Sequence, residues 1–351
     1  MNVRFTTLYL RKRFPLAISR GVSHGSENLF VGVTRDGITG WGELSPGRSE
    51  GAATAKLAQS ALESFLAGLE DDLSIHEIDL RGTLQQLPRC AAAGLDIALW
   101  DWLGKKAGLP LYRLLGLGLP SAPTSVTVGI DTPEAVKERI PVILGHHRVR
   151  ALKIKLGSPA GIEADQAMYT QAAKSAKPYC VRLRVDANGG WTVDDAIRMM
   201  DWLAERGTDY VEQPLREGQE EDLPALFRTR RLPIFVDESC RVSGDIPKWA
   251  DCVDGVNLKL MKCGGITEAL RIISTARAFG LKTMIGCMGE SSMSISAGAA
   301  LSGLVDHVDL DSHLNLDPDP CSGATLADGV VTPNPNPGHG ARIELPEMQD
   351  A

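Results

Sequence analysis

The strongest constraint on the fold lies after Gly116, where short β-branched runs alternate with helical segments at a regular interval. The candidate strands are Thr124–Ile130, Ala151–Leu156, Arg182–Val185, Tyr210–Glu212, Ile234–Asp237, Gly255–Lys259, Lys282–Ile285 and Val305–Leu310. Such alternation predicts a parallel sheet, and eight strands favour a closed α/β barrel of the (β/α)7β TIM-like type. An open doubly wound sheet is the main alternative, but its GxGxxG fingerprint is absent.

The chain before this region predicts a separate α+β domain. Candidate strands at Val3–Leu10, Leu29–Thr34 and Ile38–Leu44 precede a helix at Arg89–Lys106. A Pro- and Gly-rich tail follows the barrel and contains a short candidate strand, Ala341–Leu345. We therefore expect a capping domain over residues 1–116, a barrel over 117–316 and a C-terminal segment, 317–351, that returns to the capping domain.

Composition excludes several classes of protein. The 351 residues include 44 Asp and Glu against 37 Lys and Arg, a net charge of −7 that argues against a nucleic-acid coat. The seven cysteines form no CxxC pair, which favours a reducing compartment. The N-terminus lacks the apolar core of a signal peptide, and no run is long enough for a membrane span. We expect a soluble, cytoplasmic protein with a small-molecule partner, and a homo-oligomer is compatible with the sequence.

Acidic side chains stand at the ends of three consecutive strands. Asp186, Glu212 and Asp237 should meet at one rim, because catalytic residues of a parallel barrel lie at the C-terminal strand ends. Three converging carboxylates repel one another unless a cation joins them. Hard oxygen ligands suit Mg²⁺, and the absence of His and Cys makes zinc a poor fit. The alternative is that each acid pairs with a nearby basic residue.

Lysines flank this acidic rim. Lys153 and Lys155 share one face of the second strand, and Lys259 ends the sixth strand across the barrel. A lysine on each side of a metal-bound carboxylate forms a two-base arrangement, in which one removes the α-proton and the other returns it through a metal-stabilised enediolate. Each must be neutral to act as a base, and we expect Mg²⁺ and the paired lysine to lower its pKa. The alternative for Lys153 and Lys155 is a pair of exposed lysines.

Motifs along nearly the whole chain resemble the enolase superfamily, and specifically its muconate-lactonizing subgroup. They are GLDIALWDWLGKKAGLPLYRLLG, LKIKLG, RVDANGGW, VEQPL, VDES and NLKLMKCGG, in the expected order. The resemblance implies a capping domain over a (β/α)7β barrel, Mg²⁺ on the three acids, bases at Lys155 and Lys259, and Lys153 near the substrate carboxylate. The mandelate racemase subgroup instead uses a His–Asp dyad at the later strands, and Lys259 at the sixth strand argues against that subgroup.

The eighth strand narrows the prediction. Asp309 and Asp311, in VDLDS, resemble the Asp-x-Asp motif with which dipeptide epimerases hold the α-ammonium group of the substrate. Asn188 follows the third strand, and Glu290, in GCMGESS, is either a pocket residue or a helix cap. Arg20 resembles an arginine that binds the side-chain carboxylate of a glutamate substrate in some epimerases. The alternatives are a solvated acidic loop for Asp309 and Asp311 and a surface arginine for Arg20.

The sequence therefore predicts an Mg²⁺-dependent isomerase, a dipeptide epimerase with L-Ala-D/L-Glu as the first substrate to test. Cycloisomerases, o-succinylbenzoate synthases and N-acylamino acid racemases of the same subgroup are the nearest alternatives, and the Asp309–Asp311 pair discriminates against them because their substrates lack an ammonium group. A non-catalytic small-molecule binder is a further alternative. Two opposed lysines argue against it, since binding alone does not need two bases.

Overall fold

A computed structural model describes residues 1–70, 72–146 and 148–344 of the chain. The predicted tail strand therefore ends, at Leu345, outside the described residues. An antiparallel sheet with helices forms the N-terminal part, and a parallel eight-stranded barrel follows. Among the described residues, every helix is too short or too polar to cross a membrane.

The N-terminal sheet has three antiparallel strands, β1 (Asn2–Ile18), β2 (Gly21–Arg35) and β3 (Ile38–Leu44). Strands β1 and β2 are much longer than the predicted Val3–Leu10 and Leu29–Thr34 and form a hairpin, because their pairing resumes beyond an irregularity between Arg11 and Leu16. The charged residues in this stretch obscure the strand pattern. As a result the hairpin tip extends to the barrel rim, where the Ile130 N–H donates to the Ala17 carbonyl at 2.9 Å.

Among the described residues, four helices follow this sheet: α1 (Ala55–Leu66), α2 (Ile75–Leu84), α3 (Arg89–Ala107) and α4 (Leu111–Leu114). Helices α1 and α3 pack on the sheet, and α2 and α4 pack against α3. The predicted helix at Arg89–Lys106 corresponds to α3, which lies directly on β3. A Cβ atom at Gly40 or at Gly42 would come within 2.1 Å of an α3 carbonyl oxygen. Glycine at these positions is thus a requirement of close packing between helix and strand.

The eight barrel strands appear where the sequence predicts them. They are β4 (Ser125–Val128), β5 (Ala151–Lys155), β6 (Arg182–Asp186), β7 (Val211–Glu212), β8 (Ile234–Val236), β9 (Gly255–Lys259), β10 (Lys282–Gly286) and β11 (His307–Asp309). Each pairs in parallel with the next, and a parallel bridge between Thr124 and Val308 joins the last strand to the first. The prediction of a (β/α)7β barrel is confirmed.

Helices fill the intervals between these strands. They are α5 (Pro133–His146), α6 (Ile162–Ala176), α7 (Val193–Ala204), α8 (Leu223–Thr229), α9 (Ile246–Trp249), α10 (Leu260–Cys263), α11 (Ile266–Ala278) and α12 (Ser292–Leu301). Aliphatic residues buried between the helices and the strands form the main core, with Val185, Val236 and Ile285 fully buried.

The described part of the chain after the barrel contains four short strands: β12 (Cys321–Ser322), β13 (Thr325–Ala327), β14 (Val330–Thr332) and β15 (Arg342–Ile343). The apolar side chains of Cys321, Ala341 and Ile343 form a buried cluster with Phe30 of the N-terminal sheet and Met293 of α12. The ring Nε2 of the buried His339 lies 2.8 Å from the carbonyl oxygen of Trp41. The tail therefore contacts both the N-terminal sheet and the barrel.

Candidate active site

The register of the barrel sheet brings the polar strand ends to one level. Lys155 of β5 pairs with Asp186 of β6, which pairs with Glu212 of β7. Farther around the ring, Lys259 of β9 pairs with Gly286 of β10, which pairs with Asp309 of β11. Parallel strands in this register present these side chains at the same rim.

Three buried carboxylates lie together at this rim. One oxygen from each of Asp186, Glu212 and Asp237 lies within 4.8 Å of the others. Octahedral Mg²⁺ binds oxygens at about 2.1 Å, so opposite ligands are roughly 4.2 Å apart, and this group fits such an ion. Burial, together with the charge of Asp186, raises the pKa of Glu212 to about 7. The carboxylates thus repel one another, and a cation would relieve that repulsion.

Lys153 is fully buried and connects the acidic group to the eighth strand. Its Nζ lies 2.5 Å from Oε2 of Glu212 and 2.5 Å from Oδ2 of Asp309. Burial disfavours the ammonium form, but the charges of Asp309 and Glu212 raise the pKa of Lys153 well above its usual value. Lys153 is therefore a buried lysine whose charged form is favoured by two ion pairs, and not one of a pair of exposed lysines.

Lys155 and Lys259 lie on opposite sides of the cavity, on the second and sixth strands of the eight. The Nζ of Lys155 is 2.5 Å from Oδ2 of Asp186, and that of Lys259 is 2.7 Å from Oδ2 of Asp237. A Cβ atom at Gly286 would lie 3.1 Å from Cε of Lys259, so glycine leaves room for this side chain. Burial opposes the charge of Lys259, but Asp237 and Glu212 raise its pKa above the usual value. At Lys259, the protein groups alone therefore act against the lowered pKa that a base requires.

Sequence reasoning missed one contact of this site, that of Lys262. The residue lies in α10, just after β9, and its Nζ is 2.5 Å from Oδ1 of Asp237. The same ammonium donates to the carbonyl oxygens of Cys240 and Asn257. The sequence signal for Lys262 was its place in the NLKLMKCGG motif. Because Lys262 lies beyond the end of the strand, strand alternation could not predict the direction of its side chain.

Asp309 and Asp311 lie at the end of the eighth strand, opposite the fourth strand that carries Glu212. The Oδ1 of Asp309 is buried and has no hydrogen-bond partner among the described residues. Oδ2 of Asp311 accepts from the Thr127 N–H at 2.6 Å. Burial and the charge of Asp309 raise the pKa of Asp311 to about 6. The pair, with Asp309 buried and Asp311 half-buried, is thus an acidic position that a cationic group would stabilise, not a solvated acidic loop.

Arg20 reaches the rim from the hairpin tip. Its guanidinium donates to Oε1 of Glu238 at 2.5 Å and to the carbonyl oxygen of Asn188 at 2.6 Å. The hydroxyl of Ser19 donates to the same carbonyl at 2.7 Å. Asn188 adopts a positive φ of 44°, which Asn tolerates, and its N–H donates to Oδ1 of Asp186. Arg20 therefore ties the hairpin tip to the ends of the third and fifth strands.

Glu290 follows the seventh strand and is fully buried. Its Oε1 accepts from the N–H of Met288 at 2.7 Å, and its own N–H donates to the hydroxyl of Ser312. Burial raises the pKa of Glu290 to about 8. Met288 and Gly289 line the cavity, so Glu290 supports the wall from behind.

A cavity of about 540 Å³ lies between the barrel rim and the N-terminal hairpin. The charged residues that line it include Lys155, Lys259, Asp237, Asp309 and Asp311. Near Asp309 and Asp311 the lining residues include the apolar Phe14, Leu16, Val126, Ile143 and Leu314, together with the basic Lys12 and Arg139. The cavity therefore offers a charged reaction centre beside an apolar compartment.

Comparisons with known proteins agree with this architecture. The family model described as "Mandelate racemase / muconate lactonizing enzyme, N-terminal domain" matches residues 2–116, and "Enolase C-terminal domain-like" matches residues 136–348. The chain is 59% identical to proteins named hydrophobic dipeptide epimerase from Flavobacteria bacterium (strain MS024-2A) and Roseobacter litoralis. These alignments cover 98% and 97% of this chain and 99% and 98% of the relatives. An L-Ala-D/L-Glu epimerase of Bacteroides thetaiotaomicron is 32% identical, over 97% of this chain and 87% of that one.

Solved structures are similar over the full length. A dipeptide epimerase from Cytophaga hutchinsonii, complexed with Mg and D-Ala-L-Val, superposes with a TM-score of 0.91 at 27% identity, covering 99% of this chain and 96% of that one. A dipeptide epimerase from Enterococcus faecalis, complexed with Mg and L-Leu-L-Tyr, gives 0.88 at 32% identity, with 97% and 98% covered. The capping sheet and the barrel of this chain thus have the arrangement of those enzymes.

Proposed function

Because the chain belongs to the mandelate racemase / muconate lactonizing enzyme family of the enolase superfamily, we propose that it is an isomerase, an Mg²⁺-dependent dipeptide epimerase. It inverts the α-carbon of the C-terminal residue of a dipeptide with a free amino terminus. Curated relatives that share more than half of its residues bear the name of this activity.

One geometric relationship carries the proposal. Asp309 and Asp311 stand on the eighth strand, opposite the acidic group centred on Glu212 of the fourth strand, and Lys155 and Lys259 flank the space between them. A dipeptide has an ammonium group at one end and a carboxylate at the other. Laid across the barrel, it presents its C-terminal α-carbon between the two lysines.

Asp186, Glu212 and Asp237 would hold the Mg²⁺, which when bound offsets the negative charge that the substrate carboxylate gains as the α-proton leaves, and also lowers the pKa of the nearby lysines. Lys155 takes the α-proton at one face of the α-carbon, and Lys259 returns a proton at the other face. In the reverse direction the two lysines exchange roles. Lys153, held as a cation, stabilises the substrate carboxylate.

The other end of the substrate is bound by the eighth strand. Oδ1 of Asp309 and the carboxylate of Asp311 accept hydrogen bonds from the α-ammonium group. The apolar wall formed by Phe14, Leu16 and Leu314 receives the side chain of the N-terminal residue. We therefore propose apolar dipeptides as the preferred substrates, ahead of L-Ala-D/L-Glu, in keeping with the names of the two relatives at 59% identity.

Incubation with a dipeptide library in D₂O and Mg²⁺, followed by mass spectrometry, tests the function. We expect one deuterium at the C-terminal α-carbon and the appearance of the second epimer. An L-Leu-L-Tyr and N-acetyl-L-Leu-L-Tyr pair provides a matched control for the free amino terminus. Absence of exchange in every dipeptide, with turnover of an N-acylamino acid, would assign the chain to one of the other activities of the subgroup.

We further propose the division into residues 1–116, 117–316 and 317–351, supported by the contacts of the tail with the N-terminal sheet. A cytoplasmic location is supported by the seven cysteines, which are all unpaired. A homo-oligomer is compatible with the sequence and stays a prediction. Gel filtration with light scattering would measure the oligomeric state.

A further inference from the structure

The three carboxylates that would hold Mg²⁺ are outnumbered by the ammonium groups in contact with them. Among the described residues, four lysines form ion pairs with the three acids at nitrogen–oxygen distances of 2.5–2.7 Å: Lys153, Lys155, Lys259 and Lys262. With all seven groups ionised, this leaves an excess of one positive charge. A positive excess opposes the binding of a divalent cation, so a further carboxylate close to these lysines is needed for the site to hold one.

Asp309 supplies a fourth carboxylate, and it does so through Lys153. The Nζ of Lys153 lies 2.5 Å from Oδ2 of Asp309 and 2.5 Å from Oε2 of Glu212. The other carboxylate oxygen of Glu212, Oε1, accepts a hydrogen bond from the uncharged amide of Asn257 at 2.7 Å. Among the described residues, Lys153 is therefore the cation that forms an ion pair with Glu212, and Asp309 shares it.

The position of the Lys153 ammonium depends on both of these carboxylates. Asp309 attracts Nζ toward the eighth strand, and Glu212 attracts it toward the fourth. The side chains of Lys153 and Glu212 are 1% and 0% exposed, so water cannot replace either contact. If Asp309 lost its charge, Nζ would pair with Glu212 alone and would compete with a metal ion for Oε2.

Asp311 offers a matched comparison, because it lies two residues farther along the same strand end. Its Oδ2 accepts from the Thr127 N–H at 2.6 Å, and within the described ranges it forms no ion pair with a lysine. The two aspartates thus place the same charge near the end of the eighth strand, and of the two it is Asp309 that contacts Lys153.

We propose that Asp309 is a positioning residue for the metal site, which shares the ammonium of Lys153 and so leaves Glu212 free to bind Mg²⁺ together with Asp186 and Asp237. This inference rests on the proposed function and gives Asp309 a second role besides recognition of the substrate ammonium. Asp309 need not touch the ion, because it acts through the position and the charge of Lys153. The residue that recognises one end of the substrate thereby also sets the charge at the other end of the site.

Isothermal titration calorimetry with MgCl₂ and no substrate tests the proposal on the wild-type protein, Asp309→Asn and Asp311→Asn. Asp309→Asn keeps the shape of the side chain and an acceptor for Lys153 but removes the charge, so the Kd for Mg²⁺ should rise roughly tenfold or more. Asp311→Asn removes the same charge from a group without an ion pair to Lys153, and its Kd should change by less than about threefold. Both variants impair recognition of the ammonium, so metal affinity distinguishes them where activity would not.

The Lys153→Met background tests whether the effect passes through Lys153. Without the ammonium, adding Asp309→Asn should change the Kd for Mg²⁺ no more than Asp311→Asn changes it in the wild-type protein. Asp309→Glu provides an independent measurement should Lys153→Met fail to fold. It keeps a carboxylate at this position and should recover most of the affinity that Asp309→Asn loses.

The outcomes separate this inference from the proposed function. An unchanged Kd in Asp309→Asn overturns the role of Asp309, and so does a loss of stability in EDTA without a loss of Mg²⁺ affinity, which indicates a structural role alone. Equal losses of affinity in Asp309→Asn and Asp311→Asn, or an undiminished effect of Asp309→Asn in the Lys153→Met background, show that Lys153 is not the intermediary and also overturn it. Absence of α-proton exchange in every dipeptide instead overturns the proposed function, and the calorimetric comparison, which contains no substrate, does not depend on that result.

Discussion

Lys259 and Lys262 contact the two oxygens of one carboxylate, that of Asp237: the Nζ of Lys259 lies 2.7 Å from Oδ2, and the Nζ of Lys262 lies 2.5 Å from Oδ1. The two lysines differ in their other contacts. Lys262 also donates to the backbone carbonyl oxygens of Asp237, Cys240 and Asn257. Although burial acts in the opposite direction, both ammonium groups hold the pKa of Asp237 well below its usual value. Lys262 therefore orders the loop after the fifth strand, and Lys259 is left for chemistry.

This difference predicts that substitution of Lys262 mainly lowers stability, whereas the same substitution of Lys259 mainly lowers activity. Lys262→Met should lower the free energy of unfolding by about 3–5 kcal/mol, because it breaks a buried ion pair at Oδ1 of Asp237 and leaves three carbonyl groups without this partner. Lys259→Met should cost clearly less, since cavity water can solvate Asp237 in its place, yet it should reduce epimerisation by roughly 100- to 10,000-fold. Urea unfolding in the presence of EDTA measures the free energy of unfolding of both variants without a contribution from bound metal. Equal losses of stability would contradict the structural role of Lys262.

The two-base arrangement makes its own prediction for Lys155 and Lys259. Replacing either lysine by Ala should reduce epimerisation by roughly 100- to 10,000-fold, the usual contribution of a positioned base. Each variant should still exchange the α-proton of one stereoisomer in D₂O, and the two variants should select opposite stereoisomers. Lys137→Ala, on the exposed face of α5, is the matched control. Exchange of the same stereoisomer by both variants would argue against bases on opposite faces.

Metal binding should increase the stability of the folded protein. At 100 times its dissociation constant, Mg²⁺ should raise the free energy of unfolding by about 2.7 kcal/mol, as for any ligand that binds only the folded state. Asp186→Asn removes one of the three clustered carboxylates and should abolish this gain, whereas Asp194→Asn, at an exposed position, should retain it. Differential scanning calorimetry with and without EDTA measures the effect. A gain that persists in Asp186→Asn would place the ion elsewhere.

Much of the barrel could be predicted from the sequence, because each strand is a short β-branched run and its last polar residue must face the rim. Asp186, Glu212 and Lys155 come together through strand register alone. Contacts between distant segments could not be predicted in this way. Arg20 and Glu238 are 218 positions apart, and their pairing depends on how the hairpin tip settles on the barrel. No local pattern carries that information, and the charged residues of the hairpin also concealed the length of its strands.

Recognition of the amino terminus depends on the eighth strand. Asp311→Asn should lower kcat/KM for L-Leu-L-Tyr by roughly 10- to 100-fold, since one charge-assisted hydrogen bond is lost. The Oδ1 of an Asn side chain can still accept from the Thr127 N–H, so the backbone contact should survive. Residual activity on N-acetyl-L-Leu-L-Tyr should not change, because that substrate has no ammonium group. A parallel loss on both substrates would show that Asp311 acts on the fold rather than on the ammonium.

The contact between capping domain and barrel should give stability a specific pH dependence. Asp96 of α3 accepts hydrogen bonds from the Thr267 hydroxyl and N–H at the start of α11, and burial raises its pKa to about 7. The folded protein then holds a proton on Asp96 between about pH 4 and pH 7, where the unfolded chain does not, so this residue's contribution to stability falls as the pH rises through that interval.

The variant Asp96→Asn tests this dependence, because it keeps the shape of the side chain and cannot ionise. The free energy of unfolding of the variant relative to wild type should therefore increase by on the order of 3 kcal/mol from pH 4 to pH 7. Urea unfolding at both pH values measures the difference, with Asp201→Asn as an exposed control. If the N-terminal end of α11 instead stabilises the carboxylate, the variant will be less stable by the same amount at both pH values.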